Sequence, residues 1–181
     1  AANEHFSQYG YSKTTVSDLA KAIGFSKAYI YKFFDSKQAI GEAICRNCLS
    51  QIVAAVEQAI NVEGISPTER FRRLVKTLIA KGVDLFFNDR KLYDIAALAA
   101  SESWPSSRVY DARIKSFVLQ IVREGRELGE FERKTPLDET VESIHLALRP
   151  FINPLLLQYN LDVVEEAPGL ISNLILRGLM P

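Results

Sequence analysis

With 181 residues, 48% of them hydrophobic and 24% charged, the chain has the ordinary mix of a soluble globular protein and enough length to bury a real core, which excludes a disordered tail or a fibre. No apolar run reaches the roughly 18 residues of a membrane span and no signal-peptide layout opens the chain, so a cytoplasmic protein without a membrane partner is expected. The formal net charge of 0 hides an asymmetry: residues 1–40 carry five lysines against three acidic residues, a balance of +2, and residues 41–181 carry the compensating −2.

Apolar residues recur at helical spacing almost throughout, without sustained strand-like alternation, so the fold class is all-α. The chain opens on Ala1-Ala2 without an initiator methionine, and its first helix reads as cut short, with further basic residues expected upstream. Phe6 and Tyr9 close that helix, and Gly10 fits its left-handed cap. Thr15-Val16-Ser17-Asp18 forms a capping box for a short helix whose Val16, Leu19, Ala20 and Ile23 share one face, and Gly24 ends it. Ser26 caps the next helix, Lys27 to about Phe33, with Ile30 and Phe34 inward, and Ser36 caps a long one reaching about Asn61. Ser66-Pro67-Thr68-Glu69 is the clearest start of all, for a helix to about Asn88. Helices follow at about 89–103, 106–128, 136–159 (interrupted or kinked at Pro150 and Pro154) and 162–179, the last capped by Asp162.

Two short helices around a glycine turn, the second with long polar side chains near its start, make a helix-turn-helix. In such a unit the first helix crosses the DNA backbone while the second enters the major groove. Lys27, Tyr29, Tyr31 and Lys32 point outward from the second helix, and a lysine there donates to guanine or neutralises phosphate, while a tyrosine uses its hydroxyl or its ring. Thr14 or Thr15 at one helix start and Lys37 at another suit phosphate.

The ordered stretch from Thr14 to Lys37, together with Phe6, Gly10 and Tyr11 ahead of it, closely resembles the DNA-binding segment of TetR-family regulators. That resemblance implies a helix-turn-helix domain over residues 1–45 and a larger helical effector-binding and dimerisation domain over 46–181. It implies base contacts from Lys27, Ala28 and Tyr29, and phosphate contacts from Thr14, Thr15, Tyr31, Lys32 and Lys37. Phe33 departs from the family, which commonly has histidine or another polar aromatic residue there, and is expected to pack rather than contact phosphate. The implied partners are a double-stranded, near-palindromic operator, a second copy of the chain and a small-molecule effector that relieves repression; no cofactor is implied. The alternative from another class is a helical ligand-binding or scaffold protein with a degenerate helix-turn-helix.

For the effector the candidates are the aromatic and amphipathic residues of the central helices: Phe86, Phe87, Tyr93, Trp104, Tyr110, Phe117, His145 and Phe151. For the dimer they are Leu155, Leu156, Leu170, Leu174 and Ile175, on the last two helices. Cys45 and Cys48 stand one helical turn apart with no second pair to complete four ligands, so packing outweighs metal binding or thiol and copper sensing. No residues have catalytic spacing, and no enzyme is expected.

Overall fold

The computed structural model describes residues 2–181, residue 3 by its backbone alone, and every regular element among them is helical. In chain order these are α1 (Ala2–Tyr9), α2 (Val16–Ala22), α3 (Lys27–Ile30), α4 (Lys37–Ile60), α5 (Pro67–Asn88), α6 (Arg90–Ser101), α7 (Pro105–Glu127), α8 (Leu137–Ile152), α9 (Pro154–Leu157) and α10 (Ala167–Gly178). Ala1, on which the reading of a shortened first helix turns, lies outside the described residues.

The starts are set by side chains that satisfy otherwise orphaned amides. Thr15 accepts from the Asp18 amide at 3.1 Å while the Asp18 carboxylate accepts from the Thr15 amide at 3.0 Å, closing the capping box. The hydroxyls of Ser26, Ser36 and Ser66 accept from the amides of Tyr29, Ala39 and Glu69. Gly10 at φ 83° and Gly24 at φ 75° make the left-handed turns that end α1 and α2.

The C-terminal part departs from expectation in two places. Pro150 falls in the last turn of α8, where it forfeits one amide bond to the preceding turn, and the helix runs through it for two more residues and stops before Asn153. Asn153 instead caps the short α9, accepting from the Leu155 amide at 2.9 Å. The final helix starts at Ala167 and not near Asp162; residues 161–163 form a 3-10 turn, and Pro168 stands in the first turn of α10.

Helix α4 is the central strut, packed on α5, α6 and α7; α8 lies on α7, α10 on α5, and α1 on α6. By length and a mean hydropathy of 1.2 this helix would pass for a membrane span, contrary to expectation, but half of that stretch is buried against its neighbours. Val56, Phe71, Leu74, Ile95, Ile114, Val118 and Leu148 have essentially no exposure, and each fully buried side chain of this size is worth about 1.5–3 kcal/mol relative to water. One apolar core runs from Phe6 to Leu179, and the expected boundary at residue 45 falls inside unbroken α4.

The N-terminal helices are joined to the larger body at two points. The Ser7 hydroxyl donates to the carboxylate of Asp89 at 3.2 Å, which fixes α1 to the start of α6. At the second point α4 comes so close to the rings of Tyr11 and Trp104 that a methyl at Gly41 would stand 2.8 Å from Tyr11 and 3.0 Å from Trp104. Two stiff rings cannot give way, so Gly41→Ala is expected to cost about 1–3 kcal/mol through overpacking. Gly169, in open space on α10, is the control: its alanine variant should leave the melting temperature unchanged or raise it. Equal thermal unfolding of the two variants would contradict this account of the junction.

Candidate nucleic-acid interface

Helix α3 is a single turn, shorter than the expected Lys27–Phe33, because the chain tightens beyond Ile30. Lys32 donates its amide to Tyr29 O and Phe33 to Ile30 O, three residues back, at 3.2 and 3.0 Å. Ile30 is buried and anchors the turn, while Lys27, Ala28, Tyr29, Tyr31 and Lys32 face outward. The three expected base readers therefore share one exposed surface.

That surface is more aromatic than expected. Phe25 stacks on Tyr29 with ring centroids 4.6 Å apart, and Phe33 meets Tyr29 edge-on at 5.2 Å. Phe33 is 66% exposed, so the neighbour it packs on is the Tyr29 ring at the surface and not the core. Phe34, half-buried against the core, takes the inward place. The spacing of residues 25, 29 and 33, four apart, is the sequence signal that joins Phe25 and Phe33 to this face.

The phosphate candidates divide. Thr14 is 2% exposed and its hydroxyl donates to Gly10 O at 2.7 Å, so it serves the end of α1 and its expected phosphate contact is withdrawn. Thr15 is exposed, and its hydroxyl and amide hydrogen bonds hold the Asp18 carboxyl below the usual carboxylate range. Tyr31 and Lys32 are exposed, with the Lys27 ammonium 5.7 Å from the Tyr31 ring centroid. Lys37 is half-buried: its Nζ lies 4.4 Å over the Tyr11 ring and donates to Ser12 O at 3.5 Å, and burial pushes its pKa down. It ties the start of α4 to the loop after α1.

The eight effector candidates do not gather in one cavity. Phe86, Phe87 and Tyr93 form an edge-to-face cluster at the α5–α6 corner, where Phe87 is 68% exposed and the Tyr93 hydroxyl donates to Pro154 O. Trp104 is buried at the junction against Tyr11, with ring centroids 5.9 Å apart, and Phe117 is core. His145 lies on another face, its Nε2 3.0 Å from Asp111, whose pKa is lowered chiefly by that hydrogen bond. Phe151 is half-buried against the core. Of the eight, Tyr110 alone lines the cleft of about 500 Å³ between α4 and α7. Helical spacing of aromatics reports core here, and the residues that do shape this cleft, Arg46 and Ser106 among them, carry no aromatic signal.

The dimer candidates also separate. Leu170 and Leu174, one turn apart on α10, are strongly exposed and Ile175 is half-buried beside them. Leu155 and Leu156 are half-buried on α9, where Leu155 lines a cleft with Tyr9 and Lys91 near α6. Cys45 and Cys48 are free thiols in the core.

A family model described as bacterial regulatory proteins, tetR family, matches residues 1–44, and one described as tetracyclin repressor-like, C-terminal domain, matches residues 67–167. The HTH-type transcriptional repressor DhaR of Mycobacterium sp. (strain GP1) is 24% identical over 132 residues, 71% of this chain and 65% of DhaR. The biofilm operon icaADBC HTH-type negative transcriptional regulator IcaR of Staphylococcus aureus (strain Newman) is 40% identical over 47 residues, 26% of this chain and 25% of IcaR. The chain thus spans less than two thirds of the length of these curated relatives. The crystal structure of the TetR family transcriptional regulator PfmR from Thermus thermophilus is 28% identical, with a TM-score of 0.64 over 99% of this chain and 97% of that one.

Burial pushes the Cys48 thiol up to about 11 and raises that of Cys45, so both are protonated and shielded at neutral pH. Ellman's reagent should therefore react with neither thiol in the native protein and with both after denaturation. Rapid native labelling would reopen thiol sensing.

Proposed function

The chain belongs to the tetR family of bacterial regulatory proteins, and from that premise we propose that it is a cytoplasmic transcriptional repressor, a homodimer released from a near-palindromic DNA operator by a small-molecule effector. It acts as a regulator and not as an enzyme. The observation that carries this reading is the outward face of α3, where Lys27, Ala28 and Tyr29 stand exposed on a turn fixed from beneath by Ile30 and in front by Ser26. A reading element must be held rigidly by groups that do not themselves touch the bases, and this division of labour is present.

On that surface Lys27 and Tyr29 address base edges in the major groove, with Ala28 allowing close approach and its methyl suited to a thymine methyl. Thr15, Tyr31 and Lys32 position the unit on phosphates, and Lys37 adds positive charge at the start of α4 while bracing Tyr11. Two copies place two such faces on half-sites about one helical turn apart, or a multiple of it.

Genomic fragments retained by the protein would supply the operator, and fluorescence anisotropy across a salt series then tests the reading. Because Lys27 and Lys32 are exposed, the double variant Lys27→Gln, Lys32→Gln should weaken binding and lower the log–log salt slope by up to about two. Unchanged affinity and slope would refute the DNA-binding reading.

The exposed leucines of α10 support the dimer, since adjacent apolar side chains left in water along one helical stripe mark a partner surface. The pair Leu170→Glu, Leu174→Glu is expected to give a folded monomer by light scattering, because neither residue contributes to the core. A dimer of unchanged stability would move the interface elsewhere.

A further inference from the structure

We propose that the cleft between α4 and α7 is the effector site, and that it takes an amphipathic anion: an unbranched apolar body with a carboxylate-like head. This rests on the reading of the chain as an effector-released regulator, and it places the site away from all but one, Tyr110, of the side chains that the sequence singles out.

Three observations converge on this cleft. Its volume of about 500 Å³ lies within the roughly 300–1,000 Å³ of small-molecule sites. Its walls are Leu49 and Val53 of α4 and Val109 of α7, and Val109 is 67% exposed, an apolar side chain on the rim without cover. Although arginines and serines are among the lining residues, the surface exposed within the cleft is chiefly carbon, which suits an aliphatic body rather than a sugar or a nucleotide.

The second observation is a buried, unmet hydroxyl. Ser106 lines the cleft and is 4% exposed, and apart from the weak partner offered by the Cys45 thiol beside it, its Oγ has no hydrogen-bond partner among the described residues. An under-satisfied buried hydroxyl costs up to about 1–3 kcal/mol, and because this oxygen has no exposed surface, a ligand oxygen meets it only by parting α4 from α7.

The third observation sets the sign of the head. Two arginines line the cleft and no acid does. Arg113 is neutralised by Glu57 at 2.8 Å, whereas Arg46 is exposed and has no ion-pair partner among the described residues. A carboxylate would complete that charge with paired N–H donors. The cleft beside His145, which Arg108 and Arg149 also line, is walled mainly by charged and polar side chains and holds the acids Asp111 and Glu142, so it suits an apolar body less well.

Occupancy has a direct route to the DNA-reading end. The Ser106 amide donates to the Glu42 carboxylate on α4 at 3.0 Å, and Trp104, two residues earlier, packs on Gly41 and Tyr11, over which Lys37 sits. A body wedged between α4 and α7 changes the spacing that these contacts share, and a ligand favouring that spacing shifts the population away from the DNA-bound arrangement.

Trp104 is the single tryptophan, so its emission reports events at this junction. Titrating the full chain with decanoate, decanol and decyltrimethylammonium at one chain length separates head from body. Saturable binding of decanoate is expected, with the cationic analogue about tenfold weaker or worse. Arg46→Glu should invert that order, and Val109→Glu, a change at an exposed position, should weaken all three. Decanoate should also lower operator affinity in the wild type but not in Arg46→Glu.

Absence of binding, binding indifferent to the head group, or binding untouched by both variants would overturn the proposal. Binding that leaves operator affinity unaltered would overturn the effector assignment. Operator binding measured without any amphiphile tests the regulator reading on its own, so the two failures are distinguishable.

Discussion

The carboxylate of Glu42 sits at 8% exposure where α4 meets the first turn of α7, and the relation between those two helices depends on it. An ionised carboxylate removed from water costs several kcal/mol unless it is met by opposite charge and hydrogen bonds. Here the Ser106 amide, in the first turn of a 23-residue helix, donates to one carboxylate oxygen at 3.0 Å, while the other is buried with no hydrogen-bond partner among the described residues. The bond fixes the rotation of α7 against α4 at a point where α7 has no side-chain cap of its own. Gly41, Tyr11 and Trp104 fill the space around it. Because α1 is also held to α6 through Ser7 and Asp89, the N-terminal unit senses both helices that flank the turn at Glu102–Trp104.

Much of the fold can be read in the sequence wherever local chemistry decides it. The capping box at Thr15 and Asp18, the serines at 26, 36 and 66, and the glycines at 10 and 24 each satisfy or end a backbone ladder within a few residues, so tertiary context has little to overrule. Where a boundary depends on distant packing the reading slips. Asp162 has the chemistry of a cap, yet residues 161–163 tighten into a 3-10 turn while Leu161 and Val164 pack against Tyr93 and Leu157, and α10 waits for Ala167.

The candidate site divides along the same line. Lys27, Ala28 and Tyr29, the residues proposed to read bases, follow from an ordered motif and are exposed. Thr14 and Thr15 are adjacent and chemically alike, and only the closure of α1 by the Thr14 hydroxyl tells them apart. Phe33 shows the reverse case, an apolar residue that burial statistics send inward but that the tight turn after Ile30 turns to solvent. The aromatic residues of the larger body are poor guides to a cavity because rings at helical spacing fill a core first. The polar and charged positions Arg46 and Ser106 gain meaning only when α4 and α7 are brought side by side.

The brevity of α3 has a consequence for how such a protein changes its target. Its stability comes from Ser26, Ile30 and the ladder of turns behind it, none of which depends on the side chains at 27 and 28, while Tyr29 also packs on Phe25 and Phe33. Positions 27 and 28 are thus largely decoupled from folding, and on the proposed reading a new operator can be acquired by exchanging them while the scaffold beneath is left alone. In the dimer proposed above, the same brevity would leave each copy few letters to read, so that much of the information singling out one promoter among many would lie in the spacing between half-sites, a property of the pair and not of either chain.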